Sequence, residues 1–402
     1  MTGRVEIESR PWAPLEILLA ELGIVFFIAD LTAGVVMPTF SLYATSLGAS
    51  LAMIGVLAAC SAGVPLILSV PLGALSDRRG RRSILVGGVV VTGVACALFT
   101  LVTSPWQLVG PNVLFGVGIL AALSIGPAYI GDVLESGDRR RGVAVYTIAM
   151  GAGYAVGSAL AGYSVAHVGY VFTYRTAGVL CIASGAIAYV RFGRHRYAAA
   201  TASDATKEPS AALPDTDRRS GMASLGNAAF NMSWVAAISV FLPVYALELG
   251  VPVQAIGLLF MIRGLVSTAA RVPLGSVVSR IPFGPTLLAP MAVEAVAVVL
   301  IAVVHNALGL ALVLAVDGIA YAAFLTASQT FLIGHRTNRG MAQGAYWTAG
   351  ALGASFGAAT LGIAAQLFGV RSVFLLASAG IVAIFVVTLG LSRAPRSGTI
   401  PR

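Results

Sequence analysis

The feature that most limits what this chain can fold into is a repeated one. Runs of roughly 20 apolar residues with almost no charge recur along nearly its whole length. A helix of that length crosses the hydrocarbon core of a bilayer. Twelve such spans are predicted, at roughly 17–43, 52–75, 83–103, 107–133, 142–165, 171–191, 222–247, 254–278, 285–304, 307–334, 341–367 and 372–392. Proline and glycine inside several of them are compatible with a membrane helix, because neighbouring helices satisfy the freed backbone groups. Composition agrees: 10% of the 402 residues are charged, 58% are apolar and mean hydropathy is +0.90. A soluble domain carries about 25% charge, so this chain lacks the polar surface for a globule in water. The expected fold class is an all-α integral membrane protein with the lipid bilayer as its solvent.

One segment breaks the pattern. Residues 192–220, "FGRHRYAAATASDATKEPSAALPDTDRRS", are rich in Ala, Ser, Thr, Pro and charge and are expected to form a flexible linker. The predicted organisation is a six-helix bundle over 1–191, the linker over 192–220 and a second six-helix bundle over 221–402. Placing both termini in the cytoplasm puts every Lys and Arg on that side except Arg175, Arg263, Arg271 and Arg371. That is a strong positive-inside pattern. It explains the net charge of +9 without nucleic acid. The first span lacks a following small-residue cleavage site, so it is expected to be retained. Cys60, Cys96 and Cys181 lie inside spans and have neither metal-ligand nor disulfide-framework spacing. No metal and no cofactor is expected, and no nucleophile–base pair points to an enzyme.

The two halves resemble each other. At an offset of 202, Tyr43-Ala44 falls on Tyr245-Ala246, Leu47-Gly48 on Leu249-Gly250, Ile54-Gly55 on Ile256-Gly257, and Val70-Pro71-Leu72-Gly73 on Val272-Pro273-Leu274-Gly275. Later the offset drifts to 200, and Tyr146, Gly153, Gly157 and Gly162 meet Tyr346, Gly353, Gly357 and Gly362. Such parallel repeats place a binding site between the halves, near the bilayer midplane.

Between spans two and three stands "GALSDRRGRR", residues 73–82. A six-plus-six chain with this decapeptide resembles the major facilitator superfamily over nearly all of its length. "AYIGDVLESGDRRRG" at 128–142 and "AVYTIAMGAGYAVGSALAGY" in span five are similar to the twelve-helix drug/proton antiporter branch. Ser158 stands where that branch's motif has proline, and Asn112 where it often has arginine. The resemblance implies a cytoplasmic gate built from Gly73, Asp77, Arg78, Gly80, Arg81, Arg82 and Asp132. Charge-assisted bonds from the arginines to Asp77 and Asp132 would latch the halves together. The alternative reading of the arginines is a topology signal alone. In the second copy, "VPLGSVVSR", Ser279 replaces Asp77 and only Arg280 remains.

Ionisable groups inside a membrane helix are functional candidates by default. Asp30 lies near the middle of span one, and its repeat partner is Met232, so the acid is not a requirement of the fold. It could exchange a proton or pair with a cationic substrate; the alternative is a helix-to-helix hydrogen bond. Glu21 ranks below it, nearer the cytoplasmic end. Asp317 and Tyr321 share a face of span ten, and Arg263 should lie at comparable depth, with Asp317 or Glu294 as a partner. Asn112, Asn227 and Asn231 are on cavity-lining helices by the same resemblance, although asparagine also serves as helix glue. Trp234, Tyr146, Tyr154, Tyr346 and Trp347 could line a cavity or simply pack. The glycines 153, 157, 162, 353 and 357 permit close helix contact; they are either packing positions or the surfaces on which the halves rock.

The resulting expectation is a secondary active transporter of the bacterial inner membrane, monomeric, driven by a proton gradient and exporting small, partly apolar compounds. The alternatives are a transporter of a sugar, organic anion or other polar metabolite, and a non-transporting receptor or scaffold on the same fold.

Overall fold

The computed structural model describes residues 15–134, 137–192, 214–278, 280–334 and 339–393. These form twelve long helices and, among the described residues, no strand. The first six are α1 (Leu15–Ser46), α2 (Leu51–Arg79, with a turn at Gly63), α3 (Arg81–Phe99), α4 (Val109–Val133), α5 (139–168) and α6 (170–192). The second six are α7 (Arg218–Glu248), α8 (Val253–Val278), α9 (Phe283–Val303), α10 (Ala307–Gly334), α11 (Arg339–Phe368) and α12 (Arg371–Arg393). All twelve expected spans are present. Of the expected linker, Phe192 is helical and residues 214–220 are helix running into α7, while residues 193–213 lie outside the described residues.

The internal repeat is written into the backbone. Gly48 and Gly250 both adopt left-handed φ, at 87° and 77°. Gly169 and Gly369 do the same at 82° and 83°. These turns follow α1 and α7, and α5 and α11, at repeat-related positions, and a side chain there would be strained. The turn after α2 breaks the symmetry. Gly80 has φ 87°, whereas its repeat position is Pro282 at φ −57°.

Glycine also sets the helix spacing inside each half. A Cβ on Gly153 or Gly157 of α5 would stand 2.2 or 2.1 Å from the Phe27 or Leu31 carbonyl oxygen of α1. Gly353 of α11 meets the Ala228 carbonyl of α7 at 2.2 Å in the same sense, and Gly357 meets Met232 and Ala236. These four glycines therefore fasten helices within a half. Of the two readings of these glycines, packing positions or rocking surfaces, this geometry supports packing for these four.

The surfaces that do join the halves run from one end to about mid-depth, where a Cβ on Gly151 of α5 would stand 2.0 Å from Thr268 Oγ1 of α8 and Ser355 Oγ of α11 donates to the Ala59 carbonyl of α2 at 3.0 Å. Gly55 of α2 stands against Gly362 and Ala358 of α11, and Gly257 of α8 against Gly162 and Ser158 of α5. Built Cβ atoms on Gly55 and Gly257 would each come 2.4 Å from a backbone oxygen of the opposing helix. Leu51 N–H donates to Gln366 Oε1 at 3.1 Å beside the first pair. Each pair is the repeat image of the other. This end carries few charges. At the other, arginine-rich end the same helices part. A Cβ on Gly73 or Gly275 would meet nothing within 4 Å, and Val70 and Val272 are 82% and 79% exposed. The space between the halves is thus closed at the charge-poor end and opens toward the basic end.

Candidate functional site

The inter-half space is lined by few polar groups. From the N-terminal half come Asp30 of α1 and Tyr146 and Tyr154 of α5. From the C-terminal half come Trp234 of α7, Arg263 and Arg271 of α8 and Tyr321 of α10. Asp30 is half-buried and borders a small cavity with Phe26, Ala29, Ile119, Ala122 and Met150. Tyr146 packs edge-on against Phe26, ring centres 4.7 Å apart. Arg271, from the opposite half, lies within charge range of both Asp30 and Tyr146. The Arg271 Nε is buried without an acceptor. Tyr154 meets Trp234 across the interface at 6.0 Å. Sequence reasoning left Arg271 out of the site. Its signal was there: it is one of the four basic residues that the positive-inside pattern did not absorb.

The second cluster lies in the C-terminal half. Arg263 Nε donates to Asp317 Oδ2 of α10, with the guanidinium stacked on Trp234 at 3.4 Å and near Tyr321 at 5.2 Å. Glu294 of α9 joins it: Ser233 Oγ donates to Glu294 Oε1, and Glu294 lies within hydrogen-bond reach of Asp317. Arg263 is 4% exposed, and Asp317 and Glu294 are fully buried. Ser233 and Trp234 are placed by a π-helical stretch, Met232–Ile238, in the middle of α7. Widened turns of this kind recur at functional sites. The sequence offered Asp317 and Glu294 as alternative partners of Arg263 without deciding between them; the structure pairs Arg263 with Asp317 and brings Glu294 to the same cluster.

Other expected site residues have structural work. Asn112 Nδ2 donates to the Leu57 carbonyl at 2.6 Å, tying α4 to α2 in a buried contact. Asn227 Nδ2 donates to the Tyr346 carbonyl at 2.8 Å, and Asn231 Nδ2 donates to the Asn227 carbonyl and Oδ1 at 2.9 Å. Asn112 and Asn227 thus act as glue between helices, the alternative weighed for them from the sequence, whereas the Asn231 amide turns back onto its own helix, α7. Tyr346 is buried with its hydroxyl 3.0 Å from Ser328 Oγ, and Trp347 is 51% exposed. Glu21 accepts from Arg191 Nε at 2.7 Å. Cys96 and Cys181 are buried free thiols and Cys60 is half-buried.

At the basic end, Arg81 of α3 donates through Nη1 to Asp132 Oδ1 at 2.7 Å and to the Ala128 carbonyl at 3.1 Å, both on α4. Asp77 is farther, 3.6 Å from Arg81 Nη2, and two-thirds exposed. Arg82 donates to the Tyr189 carbonyl of α6 and lies over the Tyr189 ring at 4.9 Å. Arg78 is exposed. Asp77, the arginines and Asp132 do converge, but these bonds fasten α2, α3, α4 and α6 within one half. The halves are parted at this end, so here the arginines reach α4 and α6, and the expected latch between halves, which opening at this end would break, is not made among the described residues.

Comparison with known proteins agrees with this architecture. The chain is 30% identical over 140 residues to Escherichia coli inner membrane transport protein YajR, covering 35% of this chain and 30% of YajR. It is 22% identical over 165 residues to the uncharacterized MFS-type transporter MJ1560 of Methanocaldococcus jannaschii, covering 41% and 43%. The matches thus span under half the length of these relatives. Among solved structures, a bacterial homolog of the human lysosomal transporter Spinster, inward-facing and occupied, superposes with a TM-score of 0.77 at 14% identity over 96% of this chain and 98% of that one. The nucleoside transporter NupG gives 0.76 at 14% identity over 94% and 100%. The profile described as Major Facilitator Superfamily matches twice, at residues 22–225 and 223–402. With two six-helix repeats meeting about a central polar site, this multi-pass membrane chain belongs to the Major Facilitator Superfamily of transporters.

Proposed function

We propose that this protein is a secondary active transporter that works by alternating access and couples export of small, partly apolar compounds to proton movement. The basic end faces the cytoplasm in this reading, following the positive-inside pattern, so both termini are cytoplasmic and the space between the halves is open inward. The observation that carries the proposal is Asp30, an acid in the first helix that borders a small cavity and lies within range of the charge of Arg271 from the other half, with Tyr146, Tyr154 and Trp234 nearby. A carboxyl between two moving bodies changes its surroundings as they rock, and that links its proton to the conformation. The aromatic walls suit an apolar body.

A second reading takes the substrate to be an organic anion. Two buried arginine nitrogens, Arg263 Nη2 and Arg271 Nε, have no acceptor, and a carboxylate or phosphate would supply one. The experiment is a substrate panel in proteoliposomes, with and without a pH gradient. Uphill movement of neutral or cationic compounds that collapses with the gradient supports the first reading. Uphill movement confined to anions supports the second, and flux unaffected by the gradient removes proton coupling.

A further inference from the structure

The buried acids of the C-terminal half are one donor short. Asp317 Oδ2 accepts from Arg263 Nε, and Glu294 Oε1 accepts from Ser233 Oγ. That leaves Asp317 Oδ1 and Glu294 Oε2, both buried and both without a donor, on two carboxyl groups within hydrogen-bond reach of each other. Buried acceptors with no donor are strongly disfavoured. Two ionised carboxylates in contact are disfavoured again by their mutual repulsion. Charge counting agrees. Arg263 offers one positive charge against two acids, and a leftover charge in the interior of a membrane protein is costly. The other groups facing the pair are Ser233 and Trp234 of α7 and Tyr321 of α10; none of these brings a second positive charge.

We propose that Asp317 and Glu294 hold one proton between them, forming with Arg263 a proton-binding site inside the C-terminal half, separate from Asp30. The proton is the missing donor: bound to one carboxyl, it is donated to the other. The cluster is then neutral overall, and the proton belongs to the pair rather than to either residue. The site is specific to this half. Arg263 has Ser61 at its repeat position, so the arrangement is no consequence of the fold. The π-helical stretch of α7 puts consecutive side chains to use, Ser233 on Glu294 and Trp234 on Arg263. Because Arg263 also borders the inter-half space, loss or gain of this proton changes the charge presented there. The proposal stands apart from the Asp30 reading and does not require it.

The test is infrared spectroscopy of the full chain in lipid vesicles at pH 7, in an Asp30→Asn background to remove that acid's signal. A protonated-carboxyl band that shifts in D2O is expected. Glu294→Gln should abolish it. Asp317→Asn should abolish it too, because Glu294 then ionises as the counterion of Arg263. Absence of the band in the Asp30→Asn parent overturns the proposal, since both acids are then charged. A band that survives Asp317→Asn also overturns it, because Glu294 then holds a proton of its own. Should Asp317→Asn not fold, the band position in the parent decides. A carboxyl hydrogen-bonded to a carboxylate absorbs at lower frequency than an isolated carboxyl in an apolar site, and the isolated position would refute sharing. A flux failure in the substrate panel leaves all these outcomes unchanged.

Discussion

The two halves share a backbone and differ in almost every charge. Gly48 and Gly250, and Gly169 and Gly369, turn the chain in the same way, and Gly55 on Gly362 mirrors Gly257 on Gly162. Yet Asp30 answers to Met232, Arg263 to Ser61 and Arg271 to Ser69. The N-terminal half keeps its acid half-buried at the interface and its arginine network at the basic rim. The C-terminal half keeps an arginine and two acids deep inside. Positions common to both halves build the scaffold and its closing surface. Positions where the halves disagree hold the groups able to bind a proton or a charged substrate.

The strongest way to break this comparison is to neutralise an acid in each half. Asp30→Asn should abolish uphill, pH-driven transport while leaving the protein folded, because asparagine keeps the size and polarity of the side chain at a half-buried position. Asp30→Asn protein that still concentrates substrate at the parental rate would remove Asp30 from the mechanism. Arg263→Ala should instead act on stability. It leaves buried acids without their counterion, a loss of about 3–5 kcal/mol for such pairs, visible as a lower midpoint of thermal unfolding in detergent. If Arg263→Ala unfolds at the parental temperature, the cluster is not a compensated buried set.

How far the sequence could be read follows from the same division. Twelve apolar spans, the repeat and the Arg263–Asp317 depth match are one-dimensional signals, carried by hydropathy and spacing. Helix facing is not. Asn112 and Asn227 lie on the expected helices, but their amides point at carbonyls of neighbours, Leu57 and Tyr346. Which glycines touch the other half depends on rotation about the helix axis. Gly157 and Gly162 sit five residues apart on α5, and only the second reaches α8. The helix over residues 214–220 that leads into α7 was hidden in the sequence by its charges, which read as linker.

A middle-sized effect should follow from wedging the closed end. Gly55→Val and Gly257→Val each put a side chain into an opposing backbone oxygen, in repeat-related places. Either should separate the halves at the charge-poor end and favour the state open there. Labelling of introduced cysteines near residues 51 and 254 should rise in both variants. Gly153→Val, which presses α5 on α1 inside one half, should lower stability without that rise. Equal labelling in all three would mean that the Gly55 and Gly257 contacts do not hold the end shut.

The smallest effect separates two acids in the arginine-rich turn. Asp132 takes the shorter bond from Arg81, 2.7 Å, whereas Asp77 stands at 3.6 Å and is two-thirds exposed. Both pairs are partly in solvent, where such bonds are worth about 0–1 kcal/mol and weaken with salt. Asp132→Asn should therefore lower the unfolding midpoint slightly, and Asp77→Asn should lower it less. Their consequences for transport differ in kind. Asp132 anchors the turn to α4 inside one half and should matter in every conformation. Asp77, with its carboxylate largely free while the basic end is open, can gain partners only when the halves close over it. Asp77→Asn should then slow transport and raise labelling from the basic side, with stability nearly unchanged. If Asp77→Asn leaves labelling and flux as in the parent while Asp132→Asn reduces both, the turn serves only to brace the N-terminal half.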